Sequence, residues 1–437
     1  MMRQLCVVFA ILVATPAWCQ VTASPEEMPM LTPPPVSGEA YPTLVGSEMR
    51  SNYLRMGLVF STAYNDNLLT GGSTSPVSDV SFMMHPTLAL DESTSRQQWS
   101  LTYSPTFTLY DKTSALNAAD QSAALSILYR LSPHISVSAR DSFEKTSNIF
   151  NEPGSVSGGP ITVSGQGELS GVIAPFADQI SNKAEAGLSY QFSRNAMVGG
   201  SGTLTNLHFL NSADSAGLID SSSRGGSAFY NRRLFENQYI GGTYRYSQIL
   251  GYPASGQSDT QIHSFLAFYT IYFRRALSVS VMGGPQHYDS VESPLPNSQA
   301  WKPEGMASAG WQGSHINVAV SFSHSVTGGG GLQGAFESNS ANVSVRRQIG
   351  RTWTAASGVN YAINRGVGEI LSPLMSGGHS ISGTVSIQHS FGERLGVEIQ
   401  YARLHQSYGG IAVVSSDPDS DRVLVSITYQ LTRPLGR

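Results

Sequence analysis

Apolar and polar residues alternate along most of this chain with a period of two. In residues 422–431 the apolar positions Val423, Val425, Ile427 and Tyr429 fall on one face of the run. Successive side chains of a strand point to opposite faces, so the run predicts a ribbon with one apolar side and one mostly polar side. About eighteen such runs recur without a helical pattern between them, each long enough to cross a hydrocarbon core when tilted.

The connections between these runs alternate in length. Short ones, such as residues 132–134 and 392–394, are followed by long ones, such as residues 66–79, 148–181 and the glycine-rich run 328–334. Short turns on the periplasmic side and long extracellular loops are typical of an outer-membrane barrel. Closing the first strand onto the last would also remove the exposed edges. The pattern therefore predicts an all-β fold, a transmembrane antiparallel up-and-down β-barrel of about 18 strands over residues 52–432.

Composition favours the same fold class. Charged residues are 13% of the chain, about half the usual share, while hydrophobic residues are only 40%. A surface that is half lipid-facing and half polar lumen would have this balance. A soluble propeller would show a repeat of about 40–50 residues with a motif in each blade, and the sequence shows none. The formal net charge of −4 does not indicate a nucleic-acid partner.

The first 49 residues predict export. Arg3 precedes an apolar run at residues 5–14, which predicts a signal peptide over residues 1–19, with cleavage as late as residue 23 as an alternative. An uncleaved anchor is the other interpretation, but the run is short for a membrane span. The cysteines Cys6 and Cys19 both lie in this leader, so no disulfide framework is expected. Residues 24–49 are rich in proline and predict a periplasmic linker.

With its leader, two-faced runs, alternating connections and closing strand, the chain resembles the bacterial outer-membrane β-barrels that are porin-like. The resemblance covers residues 52–432 and rests on architecture, not on a short motif. It is closest to uncharacterised single barrels that accompany the export of surface polysaccharide. It implies an outer-membrane location, contact with lipid, the barrel-insertion machinery and possible periplasmic export components as partners. One departure is the end of the chain, where a tail at residues 433–437 follows Thr432 instead of a terminal aromatic residue.

The polar faces of the runs are the candidate lining of the lumen. The charged residues on these faces are Arg55, Arg130, Arg140, Lys183, Glu185, Arg245, Arg346, Glu398 and Arg422. Six arginines against two acids suggest a lumen that favours anions or sugar hydroxyls. The alternative is that these arginines lie near the turns or pair with carboxylates, and only keep the barrel open.

The chain contains no signature of catalysis. A GxSxG elbow and an HExxH motif are both absent from the sequence, so no enzyme, cofactor or metal is expected. Residues 416–421 include three aspartates that could bind a hard cation, although such loops are more commonly solvated. The long connection at residues 148–181 could fold into the lumen or remain outside it.

Three functions fit this pattern. The first is a passive or loop-gated channel for small hydrophilic solutes. The second is an outlet for a surface polysaccharide, which would work with periplasmic partners through the linker. The third is a structural or adhesive barrel without flux. A monomer and a trimer are equally compatible with the sequence.

Overall fold

A computed structural model describes residues 52–68, 76–94, 96–147, 178–210, 219–253, 258–273, 276–292, 297–329, 332–367, 377–392, 394–409 and 419–434. These segments form 18 strands and a short 3-10 turn at Ser114–Leu116. No helix among them is long and apolar enough to cross a membrane. The strands are β1 Tyr53–Asn65, β2 Asp79–Ser93, β3 Gln97–Tyr110, β4 Ala118–Arg130, β5 Ile135–Thr146, β6 Gln179–Ser193, β7 Ala196–Phe209, β8 Asp220–Phe235, β9 Gln238–Tyr252, β10 Ser258–Phe273, β11 Leu277–Glu292, β12 Ser298–Gln312, β13 Ile316–Gly329, β14 Leu332–Ile349, β15 Trp353–Gly366, β16 Gly377–Phe391, β17 Leu395–Gly409 and β18 Asp419–Pro434.

The strands form one closed antiparallel sheet. Each strand pairs with its neighbours in sequence, and β1 pairs with β18 from Tyr53 opposite Pro434 to Asn65 opposite Arg422. The predicted all-β, up-and-down barrel of about 18 strands is confirmed. β18 reaches Pro434, so the first two residues of the predicted tail belong to the last strand. The predicted signal peptide and linker lie outside the described residues.

The period-two pattern determines the two faces of the barrel wall. Large apolar side chains are exposed on the outer face, for example Ile399 at 52% and Val385 at 58%. Their sequence neighbours on the inner face, such as Gln400 and Ser386, are small or polar and buried. Because consecutive side chains alternate across a strand, one choice of register assigns every residue of a run to one face.

The connections differ in length on the two sides of the barrel. On one side they are as short as residues 194–195 and 236–237, and Gly350 and Gly392 adopt a φ of 70° in two of these turns. That conformation is favourable only for glycine. On the other side, residues 148–177 lie outside the described residues. β6 begins at Gln179, so the loop predicted over residues 148–181 ends earlier than expected.

One connection on the long side is not a long loop. The glycine-rich run predicted as a loop over residues 328–334 instead lies mostly in strands, because only residues 330–331 separate β13 from β14. β14 is 18 residues long, so the hairpin continues past the point where other strands end. Glycine runs are common in loops, but they also occur in strands where another backbone approaches closely.

Part of the inner face is apolar. A buried apolar cluster lies on the inner face of β7, β9 and β10. It consists of Met197, Tyr239 and Phe268, and Tyr272 and Met282 pack against it. The ring of Phe268 lies over Gly241 of the neighbouring strand β9, where it occupies the space that a side chain on residue 241 would need. This side of the barrel is therefore filled by its own side chains.

Replacing Gly284 by alanine should destabilise this side of the wall. Its added methyl group would overlap the carbonyl oxygen of Phe265 on β10, which is backbone and cannot rotate away. We expect a loss of about 1–3 kcal/mol in the free energy of unfolding, measured by chemical denaturation in detergent. Gly305→Ala on β12 is the matched control, because no atom lies within 4 Å of its added carbon. Equal stability of the two variants would contradict this packing.

Candidate functional site

The inner face is open to solvent along β4, β5 and β6. Arg140 and Ser142 on β5 and Lys183 on β6 are exposed there, and Glu185 is half-buried. The inner residues in the middle of β16–β18, such as Thr384, are buried. Accessible space in the lumen therefore lies against the β4–β6 wall.

Three of the predicted lining residues come together on this wall. Arg140 lies directly opposite Glu185 in the β5–β6 ladder, and Lys183 lies opposite Ser142. Among the described residues, no hydrogen bond or ion pair is formed by the side chains of Arg140, Lys183 or Glu185. Two cations and one anion that are not bonded to other described side chains can interact with ions and solutes in the lumen.

Two other predicted arginines are bonded to carboxylates. Arg55 donates to Asp91 on β2, with Nη2 2.6 Å from Oδ2. Arg245 on β9 lies 3.3 Å from Oε1 of Glu304 on β12, whose side chain is buried. These two pairs agree with the alternative interpretation, in which the arginines pair with acids and keep the barrel open.

The remaining predicted residues are scattered over the inner face. Arg422 is buried on β18, with Nη2 3.6 Å from the sulfur of Met83, and Glu398 is buried on the neighbouring strand β17. Arg130 is exposed at the short-turn end of β4, and Arg346 is half-buried on β14. The nine residues therefore do not form one ring.

Several charges on the inner face are absent from the lining that the sequence predicts. Asp91 and Glu304 are on the inner face, and Lys302 on β12 forms a 3.4 Å ion pair with Glu337 on β14. The excess of six arginines over two acids is therefore smaller than predicted. Alternation within β2 could have revealed Asp91. Glu304 was harder to find because Pro303 beside it interrupts the strand pattern.

The β13–β14 hairpin narrows the lumen on the side of β10–β12. Val326 of β13 is 2% exposed and packs with Ile262 and Tyr288, which belong to the inner face of β10 and β11. Its backbone N–H donates to Oε1 of Gln286 at 2.7 Å, and Nε2 of Gln286 donates to its carbonyl oxygen at 3.0 Å. β13 and β14 also contact β10 and β11, which are not their neighbours in the sheet. The part of β13 around Val326 therefore lies inside the barrel.

A histidine is held between two hydroxyl groups within the wall. His85 Nε2 is 2.7 Å from Oγ of Ser104, and Nδ1 is 2.7 Å from Oγ1 of Thr106. The β2–β3 ladder is interrupted here because Pro86 and Pro105 have no N–H to donate. The side chains of His85, Ser104 and Thr106 are all buried. A Ser–His pair that is active in catalysis commonly has a carboxylate on the other ring nitrogen, whereas His85 has the hydroxyl of Thr106 there. This arrangement is suited to bridging a gap in the sheet rather than to nucleophilic chemistry.

Metal binding receives no support from the described segments. Within them, no group of three or more His, Cys, Asp or Glu side chains is placed to hold a metal ion. Of the aspartates in the loop at residues 416–421, Asp419 and Asp421 lie in β18 and make ion pairs with Arg403. Asp417 lies outside the described residues.

Known proteins resemble this chain only distantly, and only in structure. No family model matches the sequence, and no curated protein matches it. Similar solved structures include the ferric citrate transporter FecA, with a TM-score of 0.45, 11% identity and coverage of 87% of this chain and 64% of FecA. OccK2 (OpdF) of Pseudomonas aeruginosa has a TM-score of 0.45, 8% identity and coverage of 88% of this chain and 98% of OccK2. OccK9 (OpdG) of the same organism has a TM-score of 0.43, 12% identity and coverage of 87% and 98%.

The architecture is a closed antiparallel β-barrel of 18 strands. The resemblance predicted from the alternating runs is confirmed at the level of the closed 18-stranded barrel. The chain spans less than two thirds of the length of FecA. At these identities and TM-scores the similarity carries no information about function.

Proposed function

We propose that this chain is a porin-like channel of a bacterial outer membrane, through which small hydrophilic solutes diffuse passively. One observation carries the proposal. Large apolar side chains are exposed on the outer face around the closed barrel, while the inner face is largely polar and is open along β4–β6. A wall with this polarity suits lipid outside and water inside.

The outer face supports a membrane location. Exposed apolar residues occur on strands all around the sheet, from Phe60 on β1 to Ile427 on β18. A water-soluble protein rarely exposes an apolar surface of this extent. Trp311, Trp353 and Phe391 are exposed near the short turns, where an aromatic belt would meet the lipid headgroups. The signal peptide predicted for residues 1–19 supports export to the same location.

The inner face supports diffusion more than chemistry. Solutes would pass between the β13–β14 hairpin and the β4–β6 wall, where Arg140 and Lys183 outnumber Glu185. Seryl hydroxyls such as that of Ser142 supply further hydrogen-bonding groups on this wall. The path would favour small anions and hydroxylated solutes over cations, because fixed charges in a pore attract ions of opposite sign.

Conductance in planar bilayers tests the proposal. Purified protein with its leader removed should insert from detergent and produce discrete current steps with a preference for chloride over potassium. A matched sample, unfolded by heat and denaturant before addition, controls for detergent artefacts. Insertion into liposomes without any current steps would reject the channel and favour a structural barrel without flux.

A further inference from the structure

The barrel wall has a seam between β12 and β13. Their ladder runs only from Gln312 opposite Asn317 to Gly305 opposite His324. Both strands continue beyond this point, since β12 pairs with β11 as far as Ser298 and β13 pairs with β14 as far as Gly329. Residues 298–304 of β12 therefore have a paired strand on one side only.

A proline explains where the seam begins. Pro303 of β12 has no N–H, and it lies opposite Pro285 of β11, which has none either. Proline within a sheet removes ladder bonds and is tolerated mainly at edges. A continued β12–β13 ladder would place Pro303 opposite Val326, so it would be weak at that point.

The end of β13 that leaves the wall is bound inside the barrel instead. Gln286 makes two hydrogen bonds to the backbone of Val326 and so replaces the pairing that β12 would have supplied. Lys302 and Glu337 form an ion pair between the inner face of β12 and the hairpin. The backbone groups of Val326 are therefore satisfied without the ladder.

We propose that the β13–β14 hairpin exchanges between this inward position and a second position in the wall. In the wall position, the β12–β13 register continues, and Ser325 lies opposite Glu304. In the inward position the hairpin is held by the contacts of Gln286 and Lys302. In the wall position these contacts are replaced by a β12–β13 ladder that is interrupted at Pro303. Movement into the wall closes the seam and widens the lumen. This regulatory role rests on the proposed channel function.

Two cross-links distinguish the positions. The only cysteines of the sequence are Cys6 and Cys19, so introduced pairs are unambiguous once the leader is removed. Glu304→Cys with Ser325→Cys, the wall pair, reports the wall position, because these residues lie one step beyond the last pair of the β12–β13 ladder. Lys302→Cys with Glu337→Cys, bridged by a short bis-maleimide, reports the inward position. Ser308→Cys with Ser321→Cys is the matched control for oxidation, because these residues are paired in the intact part of the same ladder.

Both pairs should cross-link in liposome-embedded protein, with opposite effects on conductance. The disulfide of the wall pair should raise single-channel conductance at least twofold, and reduction should reverse the change. The bis-maleimide bridge should fix the hairpin in the inward position and keep the single-channel conductance at its lower value. The single variants control for loss of the Arg245–Glu304 and Lys302–Glu337 pairs.

The exchange is overturned if the control pair oxidises while the wall pair does not. If the disulfide of the wall pair forms but conductance does not change, the hairpin does not control the width of the lumen. Failure of the channel function is a separate result, since the unmodified protein would then show no current steps. The cross-linking yields measure the exchange even in that case.

Discussion

Replacing Arg140 and Lys183 together by glutamate is expected to convert the channel from anion-selective to cation-selective. Both side chains are exposed on the open β4–β6 wall, and neither side chain is bonded to another described residue. The double substitution replaces two positive charges of the wall by two negative ones. A unit charge at 4 Å contributes about 1 kcal/mol in water, so an inversion of about fivefold in the permeability ratio is reasonable at low salt. The reversal potential under a potassium chloride gradient measures this ratio.

A matched control is available on the same strand. Lys145 lies on the outer face of β5, with Nζ 3.5 Å from the carbonyl oxygen of Ala119. Lys145→Glu changes charge close to the same wall but outside the lumen, so it should leave the reversal potential unchanged. The assignment of Arg140 and Lys183 to the conducting path fails if the control shifts selectivity as much as the double variant.

Placing an arginine on the outer face should destabilise the barrel strongly. Ile399 is 52% exposed on the outer face of β17, where it lies opposite Ile387 of β16 and Val425 of β18. Arginine near the bilayer midplane of such barrels costs about 2–4 kcal/mol. We expect Ile399→Arg to lower the free energy of unfolding in phospholipid vesicles by this amount, measured by guanidinium titration with tryptophan fluorescence.

The same substitution on the inner face separates lipid contact from a general effect of arginine. Ser142→Arg places the charge in the open lumen beside the β4–β6 wall. Its stability should stay within about 0.5 kcal/mol of the unmodified protein. Comparable losses in the two variants would mean that the exposed apolar face does not contact lipid.

Much of the fold follows from local pattern. The alternation in residues 422–431 correctly assigns Val423 and Val425 to the outer face and Arg422 to the inner face. A period-two pattern needs no long-range information, because each side chain's face depends only on its neighbours along the strand. The same rule assigns Lys183 to the inner face of β6.

The pairing of the inner charges could not be predicted in this way. Arg245 and Glu304 are three strands apart, and their contact depends on register and on the small residues between them. The inward position of the β13–β14 hairpin could not be predicted from the sequence for a related reason. Its glycine run reads as a loop, and the Gln286 bonds to Val326 join segments that are 40 residues apart. Such contacts depend on how the sheet closes, which local propensity does not encode.

In the proposed channel, the inner face of β5 borders the conducting path and its outer face contacts lipid. Ser142 and Phe143 are consecutive on this strand and test both faces at once. We predict that a charged methanethiosulfonate reagent will reduce the single-channel current of Ser142→Cys and leave that of Phe143→Cys unchanged. An unmodified current in Ser142→Cys after confirmed labelling, or an equal block in both variants, would contradict the account.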